Sequence, residues 1–135
     1  MVKDRCLCLH VQRAARALAR RFDEELRPFE LTNGQFSLLM SLNRPEPPPM
    51  GPVASLLAMD RTTLTAALKP LERRGLVRIA NDSADRRSRV LILTDKGRGL
   101  LARALPVWKR THEEIEETAP TIDWDSLRKT LSAIS

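Results

Sequence analysis

Asp60-Arg61-Thr62-Thr63-Leu64-Thr65-Ala66-Ala67-Leu68-Lys69-Pro70-Leu71-Glu72-Arg73-Arg74-Gly75 reads as a helix with its start, its stop and its two faces written into the residues. Asp60 is of the type whose carboxylate caps the free N–H groups at a helix start. Leu64, Ala67, Leu68 and Leu71 recur every three or four positions, the spacing of one buried stripe. Arg61, Thr62, Thr63, Thr65, Ala66, Lys69 and Arg73 are left for the outer surface. Gly75 is placed to end the helix in the left-handed region that favours glycine. Pro70 has no N–H to give, costs about 3 kcal/mol inside a helix and predicts a bend in the last turn.

Downstream, Val77–Ala80 and Ser88–Leu93 predict two short strands around the polar turn Asn81-Asp82-Ser83-Ala84-Asp85-Arg86-Arg87, a ribbon with a basic tip. Thr94 then caps a long helix through Leu101, Leu105, Trp108 and Ile115, bent by Pro106 and stopped before Pro120. A last helix from Asp123 carries Trp124, Leu127, Leu131 and Ile134 on one stripe. Upstream, Pro52, Val53, Leu56 and Leu57 predict a short helix, and Arg44-Pro45-Glu46-Pro47-Pro48-Pro49 an exposed linker. Thr32 and Gln35 form a capping box, with Leu31 and Phe36 as the hydrophobic staple of a helix to about Asn43. The first helix, Cys6 to Leu26, has its stripe at Leu7, Val11, Ala14, Leu18, Phe22 and Leu26, and Pro28 ends it. Arg20–Glu24 and Arg21–Glu25 are i,i+4 pairs on its wet side, worth about 0.3 kcal/mol each.

At 135 residues one domain is the default, and 42% hydrophobic residues exclude a disordered chain. No uncharged stretch approaches the roughly 18 residues of a membrane span, so no membrane partner is expected. Met1-Val2-Lys3-Asp4-Arg5 does not read as a secretory signal, and two cysteines cannot build a disulfide framework. A reducing, cytoplasmic setting is the expectation. The net charge of +6 is concentrated: residues 61–99 hold ten basic and four acidic side chains, while residues 1–60 carry +1 and 100–135 carry −1. Such a concentration is the footprint of a surface facing a polyanion.

A short helix, a tight turn, a helix with a polar outer face and a basic ribbon, in that order, make a winged helix-turn-helix. The fold class is mainly α with a small two-stranded β-wing. Residues 30–96 form the DNA-binding part with a small core of its own; residues 5–28 and 97–135 are dimerisation helices of the same single domain. A major groove about 12 Å wide admits one helix, so Thr62, Thr63 and Thr65 can approach base edges. Arg61 is long enough for a bidentate contact to guanine, worth roughly 1–3 kcal/mol of discrimination. Lys69, Arg73 and Arg89 add positive charge, and the tip residues Arg86 and Arg87 reach toward the adjacent minor groove. The helix starts at Thr32 and Pro52 offer N–H groups to phosphates. Greasy stripes on the terminal helices call for a two-fold dimer, which spaces two recognition helices for half-sites about 34–36 Å apart.

These residues resemble the MarR family of bacterial transcriptional regulators over nearly the whole chain. The matching pieces are Leu31-Thr32…Gln35-Phe36…Leu39, Asp60-Arg61-Thr62-Thr63-Leu64-Thr65, Leu71-Glu72-Arg73-Arg74-Gly75-Leu76-Val77, Asp82-Ser83-Ala84-Asp85-Arg86-Arg87-Ser88 and Leu93-Thr94-Asp95-Lys96-Gly97. The resemblance implies a homodimeric regulator, usually a repressor, released from double-stranded DNA by a small ligand or by oxidation. It makes Arg87 the minor-groove residue and Asp85 its orienting partner. It also implies planar aromatic acids or phenols as ligands. Ala66 stands where the family often has arginine, which removes one expected DNA contact, and the closing helix is short.

Two constellations are candidates for a switch. Cys6 and His10 are i,i+4, with Arg13 three further on; an imidazole and a guanidinium beside a thiol would favour the thiolate, a redox reading that involves Cys6 and Cys8. Cys6-x-Cys8-x-His10 is no metal site, because Cys8 points about 200° from Cys6 on a helix. Phe36, Trp108 and His112 are candidates for lining a ligand pocket, Trp108 and His112 being i,i+4. The run Glu113-Glu114-Ile115-Glu116-Glu117 reads as a wet helix face. No cofactor and no enzymatic activity are expected, since no nucleophile, base and oxyanion donors converge. A protein-docking winged helix is the other binding alternative.

Overall fold

The computed structural model describes residues 1–135. The elements run α1 (Val2–Arg5), α2 (Leu7–Leu26), a 3-10 turn (Arg27–Phe29), α3 (Asn33–Leu42), α4 (Met50–Leu56), α5 (Arg61–Arg73), β1 (Val77–Asn81), β2 (Arg89–Leu93), α6 (Asp95–Glu117) and α7 (Trp124–Ala133). The strands are antiparallel, with Val77 opposite Leu93 and Asn81 opposite Arg89. Local chemistry accounts for most boundaries. Thr32 Oγ1 accepts the Gln35 N–H at 3.1 Å and Gln35 Oε1 accepts the Thr32 N–H at 3.1 Å, a complete capping box. Asp60 and Thr94 cap α5 and α6 by accepting the N–H groups of Thr63 and Gly97. Gly75 takes φ +73°.

The first helix runs as read: Cys6 caps α2 with its extended backbone and Sγ, and the short α1 precedes it. Two expectations are corrected. The 44–49 segment is not simply an exposed linker: Pro48 is buried, its carbonyl accepts the Leu91 N–H at 2.9 Å, and Pro49 bridges Val90. Helix α4 starts at Met50 rather than Pro52, and buries Val53 and Ala54 while Leu56 is 61% exposed. Helix α5 keeps Pro70 inside it and runs to Arg73; the carbonyl that Pro70 leaves without a donor belongs to exposed Ala66, where water can serve.

The winged part does not close a core of its own. One cluster joins Leu38, Leu39, Leu64, Leu68, Leu71, Val77 and Leu91 of that part to Phe22 and Leu26 of α2 and Leu100, Leu101 and Ala104 of α6. The junction is tight at Gly97, where a β-carbon would fall inside the Leu76 carbonyl oxygen and 2.8 Å from Leu93 Cδ1. Beside it the Thr94 hydroxyl lies 2.6 Å from the Gly75 carbonyl and 3.0 Å from that of Leu76. Recognition helix, wing and long helix are therefore clasped at one point. The stripes of α2 and α7 are otherwise uncovered: Leu7, Leu18, Leu127, Leu131 and Ile134 are all exposed.

Candidate nucleic-acid interface

Helix α5 turns its outer face to solvent. Arg61, Thr62, Thr63, Thr65, Lys69 and Arg73 are all exposed, while Leu64, Leu68 and Leu71 are fully buried beneath them. Its N-terminus is held by Asp60, whose carboxyl is kept below the ordinary aspartate range by hydrogen bonds from the Thr63 backbone and hydroxyl. The Thr65 hydroxyl donates to the Arg61 carbonyl at 2.8 Å, which fixes its oxygen on the helix surface.

The wing tip is shaped by two aspartates. Asp82 Oδ1 accepts the Ala84 N–H and Asp85 Oδ1 accepts the Arg87 N–H, each at 3.0 Å. Asp85 thus positions Arg87 through the backbone; no ion pair joins their side chains, so the guanidinium stays free for an outside acceptor. Arg86, Arg87 and Arg89 are exposed. No carboxylate stands within 4.0 Å of Arg61, Lys69, Arg73, Arg86, Arg87 or Arg89. Arg61, Thr65, Arg87, Ser88 and Arg89 line one cavity of about 320 Å³ between α5 and the wing, closed by Met50 and Gly51.

Thr32 plays a narrower part than its sequence suggests. Its oxygen is engaged in the capping box, and the next N–H, of Asn33, donates to Asp23 Oδ1 at 2.6 Å, so this helix start is largely satisfied from within. Pro52 lies inside α4 and has no N–H to offer.

The candidate ligand residues do meet. Phe36 and Trp108 stack at 5.6 Å with planes 17° apart, and Trp108 and His112 lie 4.9 Å apart. Phe22, not expected there, completes the cluster at 6.3 Å from Trp108 and 5.9 Å from His112; its α2 stripe announces burial but not this neighbour. A cavity of about 290 Å³ opens beside Phe36 and Trp108, walled also by Met40, Leu56 and Leu57. The acidic run is more than a wet face. Glu114 binds Arg21 at 2.7 Å, in place of the expected Arg21–Glu25 pair. Glu116 binds Arg128 at 2.9 Å and His112 at 3.4 Å. Glu116, then Asp125, raise the Arg128 pKa and keep the guanidinium charged.

The thiols are not arranged as expected. His10 Nδ1 sits 2.8 Å from the Cys6 carbonyl, not against its sulfur. Cys6 Sγ accepts the Leu9 N–H and Cys8 Sγ accepts from Gln12 Nε2, and both cysteines are free.

A family model described as MarR family matches residues 31–88. The transcriptional regulator TtmR of Methylorubrum extorquens is 42% identical over 97 residues, 72% of this chain but only 50% of TtmR, so the match spans half of that relative. The fold matches the transcriptional regulator MosR of M. tuberculosis, solved with DNA, at TM-score 0.84 and 35% identity over 96% of this chain and 92% of MosR. It also matches the transcriptional repressor CouR, solved on a 23-mer DNA duplex, at TM-score 0.85 and 32% identity over 98% and 94% of the two chains. Winged helix, wing motif and these likenesses agree: the chain belongs to the MarR family of transcriptional regulators.

Proposed function

We propose that this chain is a homodimeric DNA-binding repressor that occupies a pseudo-palindromic operator and releases it when a small aromatic ligand binds. The observation that carries the reading is the cationic surface shared by α5 and the wing, whose arginines have no acidic partner and whose cleft has no carboxylate among its lining residues, with exposed threonines between. Unpaired arginines repel one another, and a duplex is the polyanion that a helix and a ribbon fit together. MosR and CouR, both solved on DNA, support it. The uncovered leucines of α2 and α7 support the dimer, because they lie on the two helical ends that the winged part leaves free. The aromatic cluster beside its cavity supports the ligand. CouR has also been solved with p-coumaroyl-CoA, an aromatic acyl thioester, at 29% identity to this chain.

The test is selection of bound duplexes from a random pool, followed by affinity measurement across a salt series. The expected result is a pseudo-palindromic motif bound by two copies, with log affinity falling by about 0.9 per phosphate neutralised for each unit of log salt. No selected motif, or a flat salt response, overturns the reading in favour of a protein-docking winged helix.

A further inference from the structure

We infer that Arg61 grips a backbone phosphate of the duplex jointly with the wing and reads no base, an assignment that rests on the DNA-binding function proposed above. Its place at the start of α5 suggests a guanine reader, but the side chain does not project from the helix's outer face. It lies back across Gly51, where a β-carbon would stand only 3.3 Å from Arg61 Nη2. There it forms one wall of the cavity whose opposite wall is Arg87 and Arg89.

The position decides the role. With α5 in the major groove and the wing tip at the adjacent minor groove, the two are separated by a single sugar-phosphate strand. A side chain in the cleft between helix and wing therefore faces that strand and not a base edge. The cleft has the chemistry for it: three guanidinium groups, the Thr65 and Ser88 hydroxyls, and no carboxylate among its lining residues. Planar guanidinium forks match phosphate oxygens bidentately, and Gly51 keeps the space that a side chain would fill. Base reading then falls to the exposed Thr62, Thr63 and Lys69 on the free face of α5.

Arg61→Ala and the wild type are put through the same duplex selection, salt series and a scan of the selected duplex in which single linkages are replaced by neutral methylphosphonates. Arg61 is exposed and its variant is expected to fold, which circular dichroism checks. The variant should select the wild-type motif unchanged and bind it about tenfold more weakly, with the salt slope lower by about 1.8, or about 0.9 for each of the two copies. One methylphosphonate position in each half-site should weaken the wild type clearly more than Arg61→Ala. A motif altered at one base pair, or no linkage with that behaviour, overturns the assignment while the DNA-binding reading stands. A wild type that selects no duplex overturns both.

Discussion

Two regions of the molecule use arginine differently. Along α2, α6 and α7 some arginines are matched within the subunit, Arg21 with Glu114 and Arg128 with Glu116 and Asp125 among them, while Arg13, Arg16, Arg20, Arg103 and Arg110 have no acidic partner. Across α5 and the wing, Arg61, Arg73, Arg86, Arg87 and Arg89 have no acidic partner, although Asp82 and Asp85 lie in the same turn. Those aspartates spend their oxygens on backbone N–H groups instead. Folding alone would favour neutralising some of this charge. Leaving it open suits a surface completed by a polyanion, and it is the gathering of open arginines beside exposed threonines on a helix and a ribbon, more than their lack of partners, that marks the working face.

Four substitutions test how far the contrast goes. Gly97→Ala should have the largest effect, because the new methyl meets the Leu76 backbone where both regions join. A loss of about 3 kcal/mol or more in chemical denaturation is expected, with the two regions failing together. Separate transitions would show that they are independent after all. Arg87→Ala should weaken duplex binding about tenfold in a gel shift, with an unchanged melting temperature and unchanged dimerisation. Arg21→Ala should do the reverse: a stability loss below about 1 kcal/mol, as for half-exposed pairs generally, and unaltered duplex affinity. If these two results are exchanged, the contrast is wrong.

The smallest effect concerns pH. Asp60 has its carboxyl pKa lowered in the folded state, so its contribution is present above the unfolded carboxylate pKa and is lost as pH falls through the lower folded one. Melting temperatures of the wild type and Asp60→Asn, compared from pH 6 downward, should converge in the acid range. Asparagine caps without titrating. A constant gap between them would show that the Asp60 charge does nothing for α5.

Features set within a few residues were legible before any coordinates. The capping box at Thr32, the caps at Asp60 and Thr94, the stop at Gly75 and both strands depend on neighbours three or four positions away, and all appear as read. What was hidden depends on distant partners. Nothing near Arg21 points to Glu114, nothing near Gly97 announces Leu76, and nothing in Phe22 tells that Trp108 will lie beside it. The turns at Glu30 and Ala58 were hidden for a different reason. Both take positive φ, 54° and 53°, without the glycine or asparagine that signals it. At the candidate interface, the identity of the exposed residues was readable; the backward course of Arg61 was not, because it runs beside Gly51 ten residues earlier.

The docking of Pro48 and Pro49 on β2 has a consequence for how the free protein behaves in a crowded solution. A two-stranded ribbon leaves rows of unpaired backbone groups that invite a stranger's strand. Here the flank along β2 is covered by a segment whose consecutive prolines have no N–H to offer, so further growth of the sheet stops there. On that flank the hairpin offers a second copy no template for a further strand.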